Sequence, residues 1–226
     1  MEKINFDVHA EEYNDIIEKD LELFGEKNSY FAEYKSKVVK EILNNEPSSI
    51  LDYGCGIGRN VKYFHDFFSD AEVYGCDISE KSLEIAYDMN PQAKFFEIND
   101  EEIEKHKGKF DLIFVSCVFH HIQPALRNKS IDNIYKLLKT KGTLVIFEHN
   151  PYNPVTRHFV NNCVFDKDAI LLKPKESLEL IKTAGLITQK KKYTLFFPAF
   201  LKGLRFLEKY LGFIPIGGQY YVLAVK

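Results

Sequence analysis

The sequence predicts an α/β fold with a doubly wound, mostly parallel sheet and a helical addition at the N-terminus. Two observations carry this. From Ser49 onward, short and nearly continuous apolar runs alternate with amphipathic segments, the pattern of parallel strands covered by helices on both faces. Before Ser49 no such run occurs, and apolar residues recur only at helical spacing.

Residues 10–45 read as two helices, the acidic "AEEYNDIIEKDLELFG" and then "NSYFAEYKSKVVKEILNN". In the second, Phe31, Tyr34, Val38 and Ile42 form one apolar stripe; Asn28 or Ser29 can cap its start, and Pro47 lies just past its end. "SILDYG" is the first strand, 60–68 a helix, "EVYGCD" the second strand, 80–88 a helix, and "KFFEIN" the third strand. "FDLIFVS" is the fourth, 124–139 a helix that Gly142 stops, and "TLVIFE" the fifth. Then come a polar segment, the helix "KPKESLELIKTAG", the strand "ITQKKKYTLFF", the helix "PAFLKGLRFLEKYLG" and a closing strand "QYYVLAVK". In the last helix Phe200, Leu204, Leu207 and Leu211 recur at helical spacing and are expected to pack on the sheet. A second reading makes Phe196, Phe197, Phe213 and Ile214 a lid, an apolar pocket wall, or a peripheral contact with a membrane surface.

The 226 residues suffice for one large domain. It divides into an N-terminal helical cap (1–46), a cofactor-binding core (47–148) and a substrate-side segment with the closing strands (149–226). With 30 Lys and Arg against 33 Asp and Glu, no basic field is expected, and nucleic acid is disfavoured as a partner. The densest basic run, "QKKKY", reads as the solvated face of an edge strand. The four cysteines have no CxxC spacing, so neither a zinc site nor a disulfide frame is indicated, and the sequence asks for no metal. A reduced, cytoplasmic protein without a membrane span, monomeric or homodimeric, is expected.

The first strand runs into "LDYGCGIGRN", with Gly54, Gly56 and Gly58 at alternate positions before a helix. Glycine there permits a tight turn and close approach of a ligand to the backbone. Asp77 ends the second strand, where a carboxylate can accept hydrogen bonds from the two ribose hydroxyls of an adenosine. The dinucleotide dehydrogenases, the competing reading, carry GxGxxG, with the last glycine one place later than here. This chain has Asp52 ahead of Gly54, giving D-x-G-x-G-x-G.

That motif, with "YGCD" after it, resembles the class I S-adenosylmethionine-dependent methyltransferases. "EIND", "FDLIFVSCVFHHI" and "LKTKGTLVIFE" extend the resemblance over about Ser49 to Glu148, and "FDVHAEEYN" is similar to the family's N-terminal approach to the cofactor. It implies a seven-stranded sheet whose last strand is antiparallel, S-adenosylmethionine as cofactor, and methyl transfer to oxygen or nitrogen. Carried over by residue, it places Asp52, Gly54, Cys55 and Gly56 at the methionine part, Asp77 at the ribose and Ile78 on the adenine. Asn99 and Asp100 fall at the adenine edge, Ser116 and Cys117 at the sulfur end, and Tyr13 over the cofactor.

Catalytic groups should emerge from the ends of the fourth and fifth strands. His120 and His121 follow the fourth, and Glu148 and His149 end the fifth. Imidazole is suited to take a hydroxyl proton, although histidines here also serve to fix the turn. Glu148 at the end of a buried strand needs a partner, either Arg157 or a histidine, in a structural pair or a substrate contact. Asn150, Tyr152, Asn153 and Arg157, on a loop stiffened by Pro151 and Pro154, suit a small polar acceptor such as a sugar or glycan precursor; Asn150 and Asn153 also fit plain turn formers. A cofactor-binding subunit without catalysis is the non-enzymatic alternative.

Overall fold

The computed structural model describes residues 28–226; the acidic segment read as the first helix, and Tyr13, lie outside the described residues. Seven strands form one sheet in the order β3-β2-β1-β4-β5-β7-β6: β1 Ser49–Tyr53, β2 Glu72–Asp77, β3 Lys94–Glu97, β4 Phe110–Ser116, β5 Leu138–His149, β6 Ile187–Thr194 and β7 Gln219–Val225. The pairs among β1 to β5 are parallel, and β7 runs antiparallel between β5 and β6. The expected sheet, with its reversed last strand, is the one observed.

Helices cover both faces. On one face α1 (Asn28–Ile42) and α2 (Arg59–Phe67) bury Val39, Val61 and Phe64 against Ile50, Leu112, Phe114 and Phe147. On the other, α4 (Asp100–Lys105), α5 (Pro124–Leu137) and α7 (Pro174–Thr183) bury Ile103, Ile131, Ile134, Leu137 and Ile181 against Leu51, Ile113, Leu144 and Tyr220. α3 (Glu80–Met89) completes the crossover between β2 and β3, its start capped by Ser79 Oγ on the Ser82 N–H. Because β1 pairs with β2 on one side and β4 on the other, the strand order reverses there. A crevice opens beyond the carboxyl ends of β1 and β4, the place where ligands bind in such sheets.

Beyond β5, three elements differ from the sequence expectation. The segment after β5 holds a helix, α6 (Pro154–Asn162), with Asn153 as its cap and Pro154 in its first turn; proline there has no N–H to waste. β6 stops at Thr194, before "LFF", because Leu195 takes a left-handed conformation with φ 59° and leaves the extended path. The expected last helix is a 3₁₀ segment, Ala199–Leu207, kinked at Leu201 and continued by the single turn α8 (Glu208–Leu211). It does not pack on the sheet: Phe200 is 83% exposed and Leu204 40%. The basic run lies on β6, the last strand of the sheet, as expected, and lysines on such an edge oppose pairing with another chain.

Candidate active site

The turn after β1 is latched to the end of β2: the N–H groups of Gly54 and Cys55 both donate to Cys76 O, at 2.8 and 2.9 Å. Gly54 has φ 74°, and a Cβ there would meet Val118 Cγ2 at 2.6 Å, so glycine is required. Gly56, φ 52°, is different, because no atom of the described residues lies within 4 Å of where its Cβ would be. Its N–H donates to Asp77 Oδ2 at 2.8 Å, and Ser79 N–H donates to Asp77 Oδ1 at 3.1 Å. The carboxylate is thereby aimed at the cavity.

A cavity of about 950 Å³ extends from this turn across the carboxyl ends of β1, β4 and β5. Of the residues singled out from the sequence, it is lined by Gly54, Cys55, Gly56, Asp77, Ile78, Asn99, Asp100, Ser116, Cys117, His120, His121, His149 and Asn153. Ile78, an aliphatic side chain 67% exposed, stands on its wall. Asn99 Oδ1 is committed to capping α4, on the Glu102 N–H at 2.9 Å. Asp52 lies below the cavity floor, fully buried: Oδ2 accepts from Asn60 Nδ2 at 3.2 Å, and Oδ1 has no hydrogen-bond partner among the described residues. Burial raises its carboxyl to about 7; the Asn60 bond opposes that shift and the charge of Asp77 adds to it.

Beyond the turn lies a polar pole. Glu148 is fully buried beneath it; Oε1 accepts from the N–H groups of Val118 and Phe119 at 3.2 and 2.8 Å, and Oε2 takes His120 Nδ1 at 2.7 Å. Burial would raise Glu148, but the charge and hydrogen bond of His120 hold it below the usual carboxylate range. Burial would lower His120, yet Glu148 and Asp166 raise it to about 10. On the far side, His120 Nε2 and His121 Nε2 each stand 3.4 Å from Asp166 Oδ1. Burial and then the charge of His120 push His121 down to about 4.

Two residues not foreseen complete the pole near the sulfur-end candidates. Lys35, buried on α1, donates from Nζ to Ser116 Oγ at 2.7 Å and approaches Cys117 Sγ at 3.7 Å. Gln219 Nε2 approaches the same sulfur at 3.4 Å. Cys117 has φ 59°. Burial would raise its thiol, but Lys35 and then His149 bring it down to about 6. No spacing in the chain announces Lys35, Asp166 or Gln219. They reach the site from α1, from the 3₁₀ turn Val164–Asp166 and from β7.

Part of the expected substrate set is placed elsewhere. The Glu148–Arg157 pair is absent: Arg157 is exposed, and Glu148 is fully committed to His120 and the turn. Asn150 is buried and structural, its Nδ2 donating to Pro215 O and Gly217 O at 3.1 and 2.7 Å and its Oδ1 accepting from Tyr152 N–H. Tyr152 is half exposed and, like Arg157, is not on the cavity wall. Asn153 reaches the wall, but its Oδ1 caps α6 on the Thr156 N–H and its Nδ2 donates to Ile216 O. Of the suggested lid, Phe196 and Phe197 line the cavity, whereas Phe213 is 78% exposed away from it.

Residues 50–142, which contain the glycine turn, Asp77 and the β4 turn, match the family model described as a methyltransferase domain. The chain is 30% identical over 132 residues to a phosphoethanolamine N-methyltransferase of Plasmodium falciparum, covering 56% of this chain and 49% of that protein. It is 36% identical over 110 residues to thiocyanate methyltransferase 1 of Brassica oleracea, covering 46% of each. The chain thus spans about half the length of these curated relatives. A SAM-dependent methyltransferase from Archaeoglobus fulgidus has the same fold, with a TM-score of 0.69 at 15% identity over 91% of this chain and 97% of that one. The residues present fit the cofactor named for the Archaeoglobus protein: among the described residues Asp52 Oδ1 is a lone acceptor under the turn, and the space at Gly56 is one that a side chain would fill. Motif, sheet order and matched residues coincide: residues 50–142 match a methyltransferase domain, and the sheet has the fold of the S-adenosylmethionine-dependent methyltransferases.

Proposed function

We propose that this protein transfers a methyl group from S-adenosylmethionine to an oxygen or nitrogen of a small polar molecule, a sugar or glycan precursor being the class its cavity suits. One observation carries the reading. A single cavity joins the glycine turn and Asp77 to the pole of His121, His149 and Asp166, so donor and acceptor have adjoining places. The bound cofactor supplies an electrophilic methyl on sulfur, which leaves the protein to align the acceptor and manage its proton.

Asp77 accepts the ribose hydroxyls, Ile78 offers an apolar surface to the adenine, and Asn99 and Asp100 lie at its edge. Asp52 takes a donor of the methionine part through the turn, where Gly54, Cys55 and Gly56 let it approach. Ser116 and Cys117 border the sulfur end, and Tyr13 keeps the role that the resemblance gives it. His121 is the proton acceptor: it lines the cavity, is neutral at pH 7, and has Asp166 beside it to balance the charge it gains. His120 and Glu148 position that pole. The two relatives act, by name, on phosphoethanolamine and thiocyanate, small polar acceptors of different kinds. We further infer a monomer or homodimer in the cytoplasm; no helix of the described residues is long and apolar enough to cross a membrane.

The test is a screen of hydroxyl- and amine-bearing small molecules with methyl-labelled cofactor. With the acceptor found, His121→Ala is expected to lower kcat by about 10²- to 10⁴-fold at unchanged cofactor affinity. Failure of both acceptor classes to take up label would overturn the reading.

A further inference from the structure

The geometry points to a divalent transition-metal site formed by His120 Nε2, His121 Nε2 and Asp166 Oδ1. The three donor atoms lie within 4.8 Å of one another. Two nitrogens and one carboxylate oxygen are the ligand types of zinc, cobalt and ferrous iron.

The distances separate a metal site from a plain hydrogen-bond network. His120 Nδ1 closes to 2.7 Å on Glu148, the length of a charge-assisted hydrogen bond. The two contacts to Asp166 Oδ1 stop at 3.4 Å, too long for that bond. Yet about 3.4 Å is the edge of a tetrahedron whose metal–ligand bonds are about 2.1 Å. Both imidazole nitrogens converge on that one carboxylate oxygen, the convergence of donor atoms that an ion needs.

The supporting shell is already built. A carboxylate on the far nitrogen of a ligating histidine fixes its tautomer and orientation, and Glu148 does this for His120. Arg127 holds the two ligand segments together: its Nε donates to Phe119 O and Ile122 O at 3.1 and 2.9 Å, and its Nη2 to Ile170 O at 2.7 Å. Ile170 N–H in turn donates to His120 O at 2.8 Å. All three ligands line the cavity, which gives the ion a path in and leaves its fourth position facing the acceptor space. The ion site stands without the methyl-transfer reading, and only its use rests on it. An acceptor hydroxyl held as fourth ligand would lose its proton to solvent, its oxygen would bond to the methyl carbon, and sulfur would keep the electron pair of the broken carbon–sulfur bond. His121 is the proton acceptor in the ion-free protein and a ligand once the ion is bound.

The full chain, stripped with chelator and titrated with Co²⁺, is expected to bind one equivalent with the visible absorption of a four- or five-coordinate ion; Zn²⁺ should displace it. His121→Ala and Asp166→Asn are expected to weaken Co²⁺ binding at least a hundredfold, and Glu148→Gln about 10- to 100-fold. S-adenosylhomocysteine affinity, measured on the same samples, should stay intact in His121→Ala and Asp166→Asn and so reports that they are folded. No stoichiometric Co²⁺ binding by the wild type overturns the site, as does a spectrum that survives both ligand variants. Loss of S-adenosylhomocysteine binding by the wild type would instead count against the methyl-transfer reading.

Discussion

Glu148 Oε2 meets His120 Nδ1 at 2.7 Å with both side chains shut off from solvent. The contact joins the end of β5 to the turn after β4. The same carboxylate receives the Val118 and Phe119 N–H groups, so one side chain shapes the loop that walls the cavity. Removing it leaves two backbone donors and an imidazole buried without their acceptor. Glu148→Ala is expected to cost about 3–5 kcal/mol in urea unfolding. Arg157→Ala, on the exposed face of α6, should stay within about 0.5 kcal/mol and leave turnover unchanged. A large effect at Arg157 would restore the ion pair that the fold rules out.

The glycines of the turn should respond differently. Gly54→Ala places a Cβ 2.6 Å from Val118 Cγ2 and should destabilise the fold by more than backbone conformation alone. Gly56→Ala meets no atom of the described residues, so the left-handed backbone penalty of about 1–2 kcal/mol is what applies. Its main effect should be on S-adenosylhomocysteine affinity, because the methyl enters space reserved for the ligand. Thermal unfolding and calorimetric binding, run together, would show the reversal; equal behaviour of the two variants would contradict it.

At the opposite end of the sheet, Asp111 links the starts of β1, β4 and β5. Burial alone would raise its carboxyl, but hydrogen bonds from Ser48, Lys139 and Ser49, with the Lys139 charge, hold it at about 2. A carboxyl depressed in the folded state contributes stability above its unfolded value, and that contribution is lost as the pH falls through the folded value. Wild type should therefore lose this contribution between about pH 4 and pH 2, and Asp111→Asn should flatten the slope in that window. The variant should be less stable than wild type at neutral pH and bind cofactor normally. An unchanged slope would remove Asp111 from the acid response.

Local chemistry explains what the sequence made legible. Strands β2 and β4 coincide with "EVYGCD" and "FDLIFVS" because a strand buried on both faces leaves an unbroken apolar run. The glycine turn was equally readable, since Gly54, Gly56 and Asp77 are joined by backbone geometry and one carboxylate at fixed places after two strands. The acceptor end was not. Lys35, Asp166 and Gln219 come from elements far apart in the chain, and only the folded topology joins them. In "EHNPYNPVTRHF" polarity was mistaken for a substrate surface: Asn150 and Asn153 spend their amides on backbone carbonyls of the 215–217 segment. The helix beginning at Pro154 could have been found from the Asn-Pro pair, a cap followed by a first-turn proline. The exposed Phe200 and Leu204 show the converse error, since helical spacing of apolar residues does not by itself say that anything covers them.

Calorimetric titration of the full chain with S-adenosylhomocysteine, with NAD as the control ligand, tests the central claim most directly. One site per chain is predicted for S-adenosylhomocysteine and none for NAD. Asp77→Ala, which removes the proposed acceptor of the ribose hydroxyls, should weaken binding by roughly 10- to 150-fold, the value of one to two charge-assisted hydrogen bonds. Binding of NAD in place of S-adenosylhomocysteine, or an affinity indifferent to Asp77, would contradict it.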